Sequence, residues 1–289
     1  MTEEQVIGVI GGSGLYSVEG FEEAEEVRLS TPFGAPSDAY HVGTLGGVKT
    51  VFLPRHGVGH RISPSEINYR ANIWGLKALG VTRILSISAV GSMREEIAPG
   101  HFVFVDQFVD RTRHRPDTFF EGGVVAHVMF ADPICGELSK ALAGKGRELG
   151  IPVHEGGTYI CMEGPQFSTR AESKLYRSFG ADVIGMTNLQ EARLAREAEL
   201  CYATVAMATD YDCWREGEED VTVEAILAVM KENVDHARAL IRAAVPFLAG
   251  SRTCACKDAL RYAILTDPGR IPREARERLG LLIDKYLPR

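Results

Sequence analysis

Two aspartates, Asp210 and Asp212, stand two residues apart in Ala208-Thr209-Asp210-Tyr211-Asp212-Cys213-Trp214. In an extended strand they share a face, and in a turn they can still converge. Two carboxyls held together away from water resist joint ionisation, so one keeps its proton to higher pH and can serve as an acid. The plain alternatives are a solvated loop or a hard-cation site, and two carboxylates are too few to hold such a cation alone. Arg55 offers different chemistry: its planar fork can hold two oxygens of a phosphate. It lies in Leu53-Pro54-Arg55-His56-Gly57 at the end of an apolar run, where binding is favoured over an ordinary surface ion pair. His56 draws its interest only from its place in that segment.

A third candidate opens the chain. Val6–Ile10 runs into Gly11-Gly12-Ser13-Gly14, a strand-then-glycine turn in which backbone N–H groups can approach an anion and Ser13 adds a hydroxyl. The glycine spacing is not that of a dinucleotide fold, and residues 15–27 make a poor helix start. Leu15 stands where a serine-hydrolase elbow needs glycine, and no lysine completes a P-loop. Phosphate contact or a simple tight turn remain.

Short Val/Ile-rich runs that could position these groups recur at 6–10, 48–53, 83–90, 102–105, 182–186 and 202–208. They read as strands buried on both faces. Helical spacing fills the intervals: 65–79, 167–179 (with Phe167, Ala171, Leu175 and Phe179 as its apolar stripe), 189–200, and 223–245 behind Thr222 as N-cap. The expected fold is α/β, a mixed, largely parallel sheet flanked by helices. Residues 1–250 form its main body. Residues 251–289 are a C-terminal helical extension of the same domain, ending in a helix at 274–286.

The 289 residues are 45% hydrophobic and 25% charged, enough for one large core, and their formal net charge is −7. No basic footprint for nucleic acid is present. No run is long enough to span a membrane, and the N-terminus lacks the features of a secretory signal, so a cytoplasmic protein is expected. Six cysteines are too sparse for a disulfide scaffold and are expected to be reduced. Cys254 and Cys256 form a C-x-C, but a tetrahedral zinc site needs two further ligands and the sequence presents no convincing second pair. No metal is expected.

The motifs come together in one order. Gly11–Gly14, Leu53–Gly57 with His60, Ser88-Ala89-Val90-Gly91-Ser92, Met162-Glu163-Gly164-Pro165-Gln166-Phe167, Gly185-Met186-Thr187 and Ala208–Trp214 resemble the trimeric methylthioadenosine phosphorylases of the purine nucleoside phosphorylase superfamily. The likeness runs from Val6 to Val245. It implies a phosphate site of Ser13, Arg55, His56, Ser88, Ala89 and Thr187. It implies a nucleoside site of Met186, Phe167, Ser168, Asp210 and Asp212, with Asp210 and Asp212 catalytic. The 5′ pocket would be lined by Val223 and Ile226, with His127 supplied by the neighbouring subunit of a homotrimer or dimer of trimers.

Glu163 would face the sugar, and Asn188 with Gln190 would adjust base contacts. Thermophilic relatives carry disulfides, which makes Cys135–Cys201 and Cys254–Cys256 candidate bonds. The implied reaction is phosphorolysis of 5′-methylthioadenosine with inorganic phosphate as co-substrate and no cofactor. Rival readings are a 6-oxopurine or methylthioinosine phosphorylase, a nucleosidase, a dinucleotide-binding oxidoreductase and a non-catalytic nucleoside binder.

Overall fold

The computed structural model describes residues 5–12, 15, 18–215 and 223–287, without the side chains of 24, 223–226 and 228. Its centre is a run of strands too apolar to lie on a surface. β1 (Val6–Gly11) is buried along its whole length, as is β11 (Cys201–Asp210) except at its last residue. β1 lies between β4 (Val48–Pro54) and β5 (Val81–Ser92), parallel to both. β2 (Phe21–Val27) and β3 (Tyr40–Leu45) continue beyond β4 as an antiparallel edge.

β5 is the branch point of the sheet. One edge pairs with β1, the other runs parallel to β11 from Arg83 to Gly91, and Gly91 and Ser92 turn to pair antiparallel with β10 (Val183–Gly185). One arm then passes from β10 to β9 (Thr158–Met162) and β7 (Gln107–Arg111). The other passes from β11 to β6 (Phe102–Phe104) and β8 (Val153–Glu155). The sheet is mixed and mostly parallel, as expected. The charged edge strands β2 and β7 do not announce themselves in the sequence, because a strand with one open edge tolerates the glutamates of Phe21–Val27.

Among the described residues, six α-helices cover the faces: α1 (Tyr69–Ala78), α2 (Gly136–Glu148), α3 (Arg170–Ser178), α4 (Asn188–Glu197), α5 (Val223–Phe247) and α6 (Arg273–Ile283). Asn68 caps α1 by accepting from the Ala71 N–H, and Thr169 and Glu172 close a capping box on α3. The apolar stripe expected to bury α3 faces outward instead. Phe167, Leu175 and Phe179 are exposed, and the helix docks through Ser173 and Tyr176. The tail packs onto the body, with Leu260, Leu279 and Leu282 in the same apolar cluster as Ile7 and Leu85.

Helix α4 is buried almost all round, and its polar residues are spent inside. Arg55, 3% exposed, donates through Nε to Glu191 Oε1 (2.5 Å) and through Nη2 to Glu191 Oε2 (3.1 Å) and Ser86 Oγ (2.6 Å). Its Nη1 donates to the Ile87 carbonyl (2.8 Å). Tyr202 Oη and Ser86 Oγ also donate to Glu191, and Asn188 Nδ2 donates to Ser86 and Tyr202. Burial alone would loosen Arg55's hold on its proton, and the Glu191 carboxylate reverses this and raises the pKa further. Glu191→Ala leaves that cation buried without its partner. It is expected to lower the unfolding free energy by about 3–5 kcal/mol, read from urea unfolding at fixed protein concentration. A loss well below that range would mean that Ser86 and Ile87 suffice to hold Arg55.

Candidate active site

Parallel strands that end side by side leave a crevice at their C-terminal ends, the usual place for ligands in an open α/β sheet. Here the ends of β1, β4, β5, β10 and β11 border one cavity of about 490 Å³, in the range of small-molecule sites. Gly12 follows β1, Arg55 and His56 follow β4, and Ser88 to Gly91 close β5. Ile184 to Thr187 follow or end β10, and Met207, Thr209, Asp210 and Asp212 come from the end of β11. Met230 and Val234 of α5 form a further wall, and Phe167 stands at the rim.

The aspartates converge through a turn rather than along a strand. Asp212 has φ 51°, a left-handed conformation that a short polar side chain tolerates, and its N–H donates to Asp210 Oδ1 (2.8 Å). Thr209 Oγ1 lies 2.6 Å from Asp210 Oδ2 and 3.2 Å from the Val90 carbonyl. Ser173 donates to Asp212 Oδ2 (2.5 Å). Burial raises the pKa of both carboxyls, and the Asp210 charge raises that of Asp212 further. Gly91 makes room for the pair, since a Cβ there would sit 3.1 Å from Asp210 Oδ1 and 3.4 Å from Asp212 Cβ. Trp214 closes the turn from behind, donating to the Ser92 carbonyl under the Arg177 guanidinium.

His56 Nδ1 lies 2.8 Å from the Ile62 carbonyl, and its ring stacks on His60. Burial first, and then the Arg55 charge, pull its pKa down to about 4. At neutral pH the ring is uncharged. A carbonyl can only accept, so Nδ1 carries the proton and Nε2 is a lone-pair acceptor. Arg55 lines the cavity, but the fork expected to embrace phosphate is embraced by Glu191. Four of its five N–H donors are engaged, and one on Nη1 is left.

Met186 lies against the Glu163-Gly164-Pro165 loop. Gly164, with φ 68°, permits the approach, because a Cβ there would lie 2.4 Å from Met186 Sδ. Glu163 does not face the cavity. It accepts from Ser65 Oγ, the Arg113 N–H (2.5 Å) and Arg115 Nε (3.0 Å), which lower its pKa against the opposing effect of burial. Arg115, which sequence reasoning missed, also donates to the carbonyls of Met186 and Glu163, both at 2.5 Å. It ties the two loops that flank the cavity. No periodicity marks such a residue, since its partners come from three distant segments.

The remaining expectations divide. Ser168 Oγ turns back onto Met162 Sδ (3.4 Å) and is not part of the cavity wall. Asn188 and Gln190 are buried braces rather than base contacts: Asn188 holds Ser86 and Tyr202, and Gln190 joins Thr112 to Arg115. His127 lies in a different groove, beside Cys135, Cys254 and Cys256. Ser13 and the side chains of Val223 and Ile226 lie outside the described residues. All six cysteines are free thiols. No helix among the described residues is long and apolar enough to cross a membrane.

Comparison with known proteins agrees with this geometry. The sequence profile of the phosphorylase superfamily matches residues 6–246. An S-methyl-5′-thioadenosine phosphorylase of Geobacter sulfurreducens is 62% identical over 98% of this chain and 100% of its own length. That of Koribacter versatilis is 58% identical over 97% and 96%. The tail beyond residue 250, outside the superfamily profile, is thus shared with these relatives. A methylthioadenosine phosphorylase from an antarctic soil metagenomic library superposes with a TM-score of 0.93 at 44% identity, covering 97% of this chain and 99% of that one. A variant of the adenosine/methylthioadenosine phosphorylase from Schistosoma mansoni, solved in complex with methylthioadenosine, superposes with a TM-score of 0.81 at 37% identity, covering 86% and 93%. The chain belongs to the phosphorylase superfamily, and its nearly full-length similarity to these proteins places it with the methylthioadenosine phosphorylases.

Proposed function

We propose that the chain splits 5′-methylthioadenosine with inorganic phosphate, giving adenine and 5-methylthioribose 1-phosphate. The observation that carries this reading is one cavity whose lining combines Arg55, His56, Ser88 and Thr187 with Asp210 and Asp212 and with apolar residues such as Val90 and Met186. Phosphate sits between Arg55 Nη1, the hydroxyls of Ser88 and Thr187, and the backbone at Gly12 and Ala89. Ser13 adds a further hydroxyl. The start of α4 at Thr187 points the positive end of the helix at the anion. His56 Nε2, an acceptor, takes a hydrogen bond from a protonated phosphate oxygen.

A phosphate oxygen attacks C1′ as the C1′–N9 bond breaks, and the bonding electrons pass into the purine. Asp210, whose pKa burial raises, gives its proton to N7 and accepts from the 6-amino group with its other oxygen. Asp212 positions it through the backbone hydrogen bond. Met186 covers the ribose, and Phe167 covers the purine at the rim. A 6-oxopurine would present a carbonyl and N1–H, which suit an amide better than this carboxylate, so adenine is preferred.

The methylthio group lies toward α5, where Met230 and Val234 line the cavity and where the resemblance also assigns Val223 and Ile226. His127 of a neighbouring copy completes the pocket in a homotrimer or a dimer of trimers. Burial of the sulfur-methyl group contributes about 1–2 kcal/mol over a hydroxyl. The phosphorylase body is residues 1–250, and residues 251–289 brace it as part of the same domain.

The deciding assay measures free adenine from methylthioadenosine with and without phosphate, beside adenosine and methylthioinosine. Phosphate-dependent release, fastest from methylthioadenosine, is expected. Release only from methylthioinosine would overturn the role of Asp210, and release without phosphate would make the enzyme a nucleosidase. Asp210→Asn should lower kcat by about 10²–10⁴-fold and move preference toward the 6-oxopurine. The protonated acid is the active form, so kcat should fall as pH rises through its raised pKa, and the variant should lose that limb. His56→Ala should raise KM for phosphate by about tenfold with little change in KM for the nucleoside. Equal changes in both would remove His56 from the phosphate end.

A further inference from the structure

Outside the active site, the fold gathers four cysteines that the sequence scatters over more than a hundred residues. Cys135 is the N-cap of α2, and its N–H donates to the Tyr202 carbonyl (2.9 Å), which pins it beside Cys201 at the start of β11. Cys254 and Cys256 arrive from the C-terminal extension on a short 3₁₀ turn, Ala255–Asp258. The C-x-C that lacked a second pair in the sequence has one in space. All four Sγ atoms lie within 4.8 Å of one another, and Cys201 and Cys254 approach to 3.3 Å.

We infer that Cys135, Cys201, Cys254 and Cys256 form a tetrahedral four-thiolate site for zinc, a structural metal centre that fastens the C-terminal extension to the sheet. A zinc ion with Zn–S bonds of ~2.3 Å places its sulfurs ~3.8 Å apart on every edge. That requires all four thiols to cluster around one point. Two disulfides require only two separate close pairs, and here the 3.3 Å approach joins Cys201 to Cys254, a pair that belongs to neither candidate bond. Binding is redox-neutral: four thiols release four protons as four Zn–S bonds form, and nothing is oxidised.

The surroundings suit the resulting charge. The N-terminal end of the thirteen-residue α2 faces Cys135, and Arg196 lines the same groove, its guanidinium held by the Met129 and Asp132 carbonyls. Cys135 and Cys201 are buried while Cys254 and Cys256 are half-buried along that groove, so the ion has an approach from one side. The extension is already aligned on this spot. Arg252 donates to the Thr82 and Glu199 carbonyls, and the Glu199 carboxylate accepts from the Leu260 N–H and from Lys285 and Tyr286.

The test uses the full chain purified without chelator in a non-thiol reductant, with metal measured by plasma mass spectrometry. About one zinc per chain is expected, released stoichiometrically by a mercurial. Cobalt exchanged into the protein should show the charge-transfer absorption of a tetrahedral thiolate centre. The double substitution Cys254→Ser with Cys256→Ser should lose the metal and melt at lower temperature while keeping its circular dichroism. If that variant does not fold, the wild-type zinc content and cobalt spectrum decide by themselves. The inference is overturned if wild-type protein incubated with zinc and desalted retains none. It is equally overturned if alkylation of freshly purified protein, without reductant, leaves four of the six cysteines unmodified as two disulfides.

Discussion

The buried pairing of Arg55 with Glu191 is the constraint on which the rest of the structure depends. It joins the end of β4 to α4, and through Ser86, Ile87, Asn188 and Tyr202 it includes β5 and β11. β4, β5, β11 and α4 are therefore referenced to one guanidinium. A charge so deep is tolerable only when its donors are almost all satisfied, which fixes its orientation as well as its presence. The same pairing engages four of the five N–H donors of a guanidinium that lines the cavity.

A branched strand organises the rest of the cavity. β5 pairs with β1, β10 and β11 in turn, and its last residues, Ser88 to Gly91, line the cavity together with Asp210 and Asp212. Gly91 is the contact between them, small enough for the carboxyls to lean in. Burial then raises the pKa of both, with the neighbouring charge adding to the effect at Asp212. The turn is stiffened by Trp214, Arg177 and Ser173, so the two carboxyls are held by packing and hydrogen bonds.

A second tier of residues keeps these elements in register without entering the cavity. Arg115 binds Glu163 and two carbonyls, Gln190 bridges Thr112 and Arg115, and Glu199 gathers the tail. Several of these polar groups look like ligand contacts when read in sequence, because a polar residue beside a motif has the same appearance whether it faces a substrate or a neighbour. The outward stripe of α3 teaches a related lesson: spacing reveals that a helix has an apolar face, and only packing decides where that face points. An apolar stripe left on the surface is the kind of face that a neighbouring copy can cover.

What the sequence determined by itself was local and chemical. Val/Ile density marked the buried strands β1, β4, β5 and β11, four-residue spacing marked α1 and α5, and the order of short motifs marked the family. These are legible because each depends on residues near one another in the chain. The tertiary structure alone decided that Glu191 claims most of Arg55, that Ser168 and Glu163 turn away from the cavity, and that an αL turn at Asp212 brings the two aspartates together. It alone collected four thiols from three elements into one point. Except at Ser168, whose partner Met162 is six residues back, the partner lies tens of residues away or the backbone departs from regular geometry, and neither is written in composition, period or spacing.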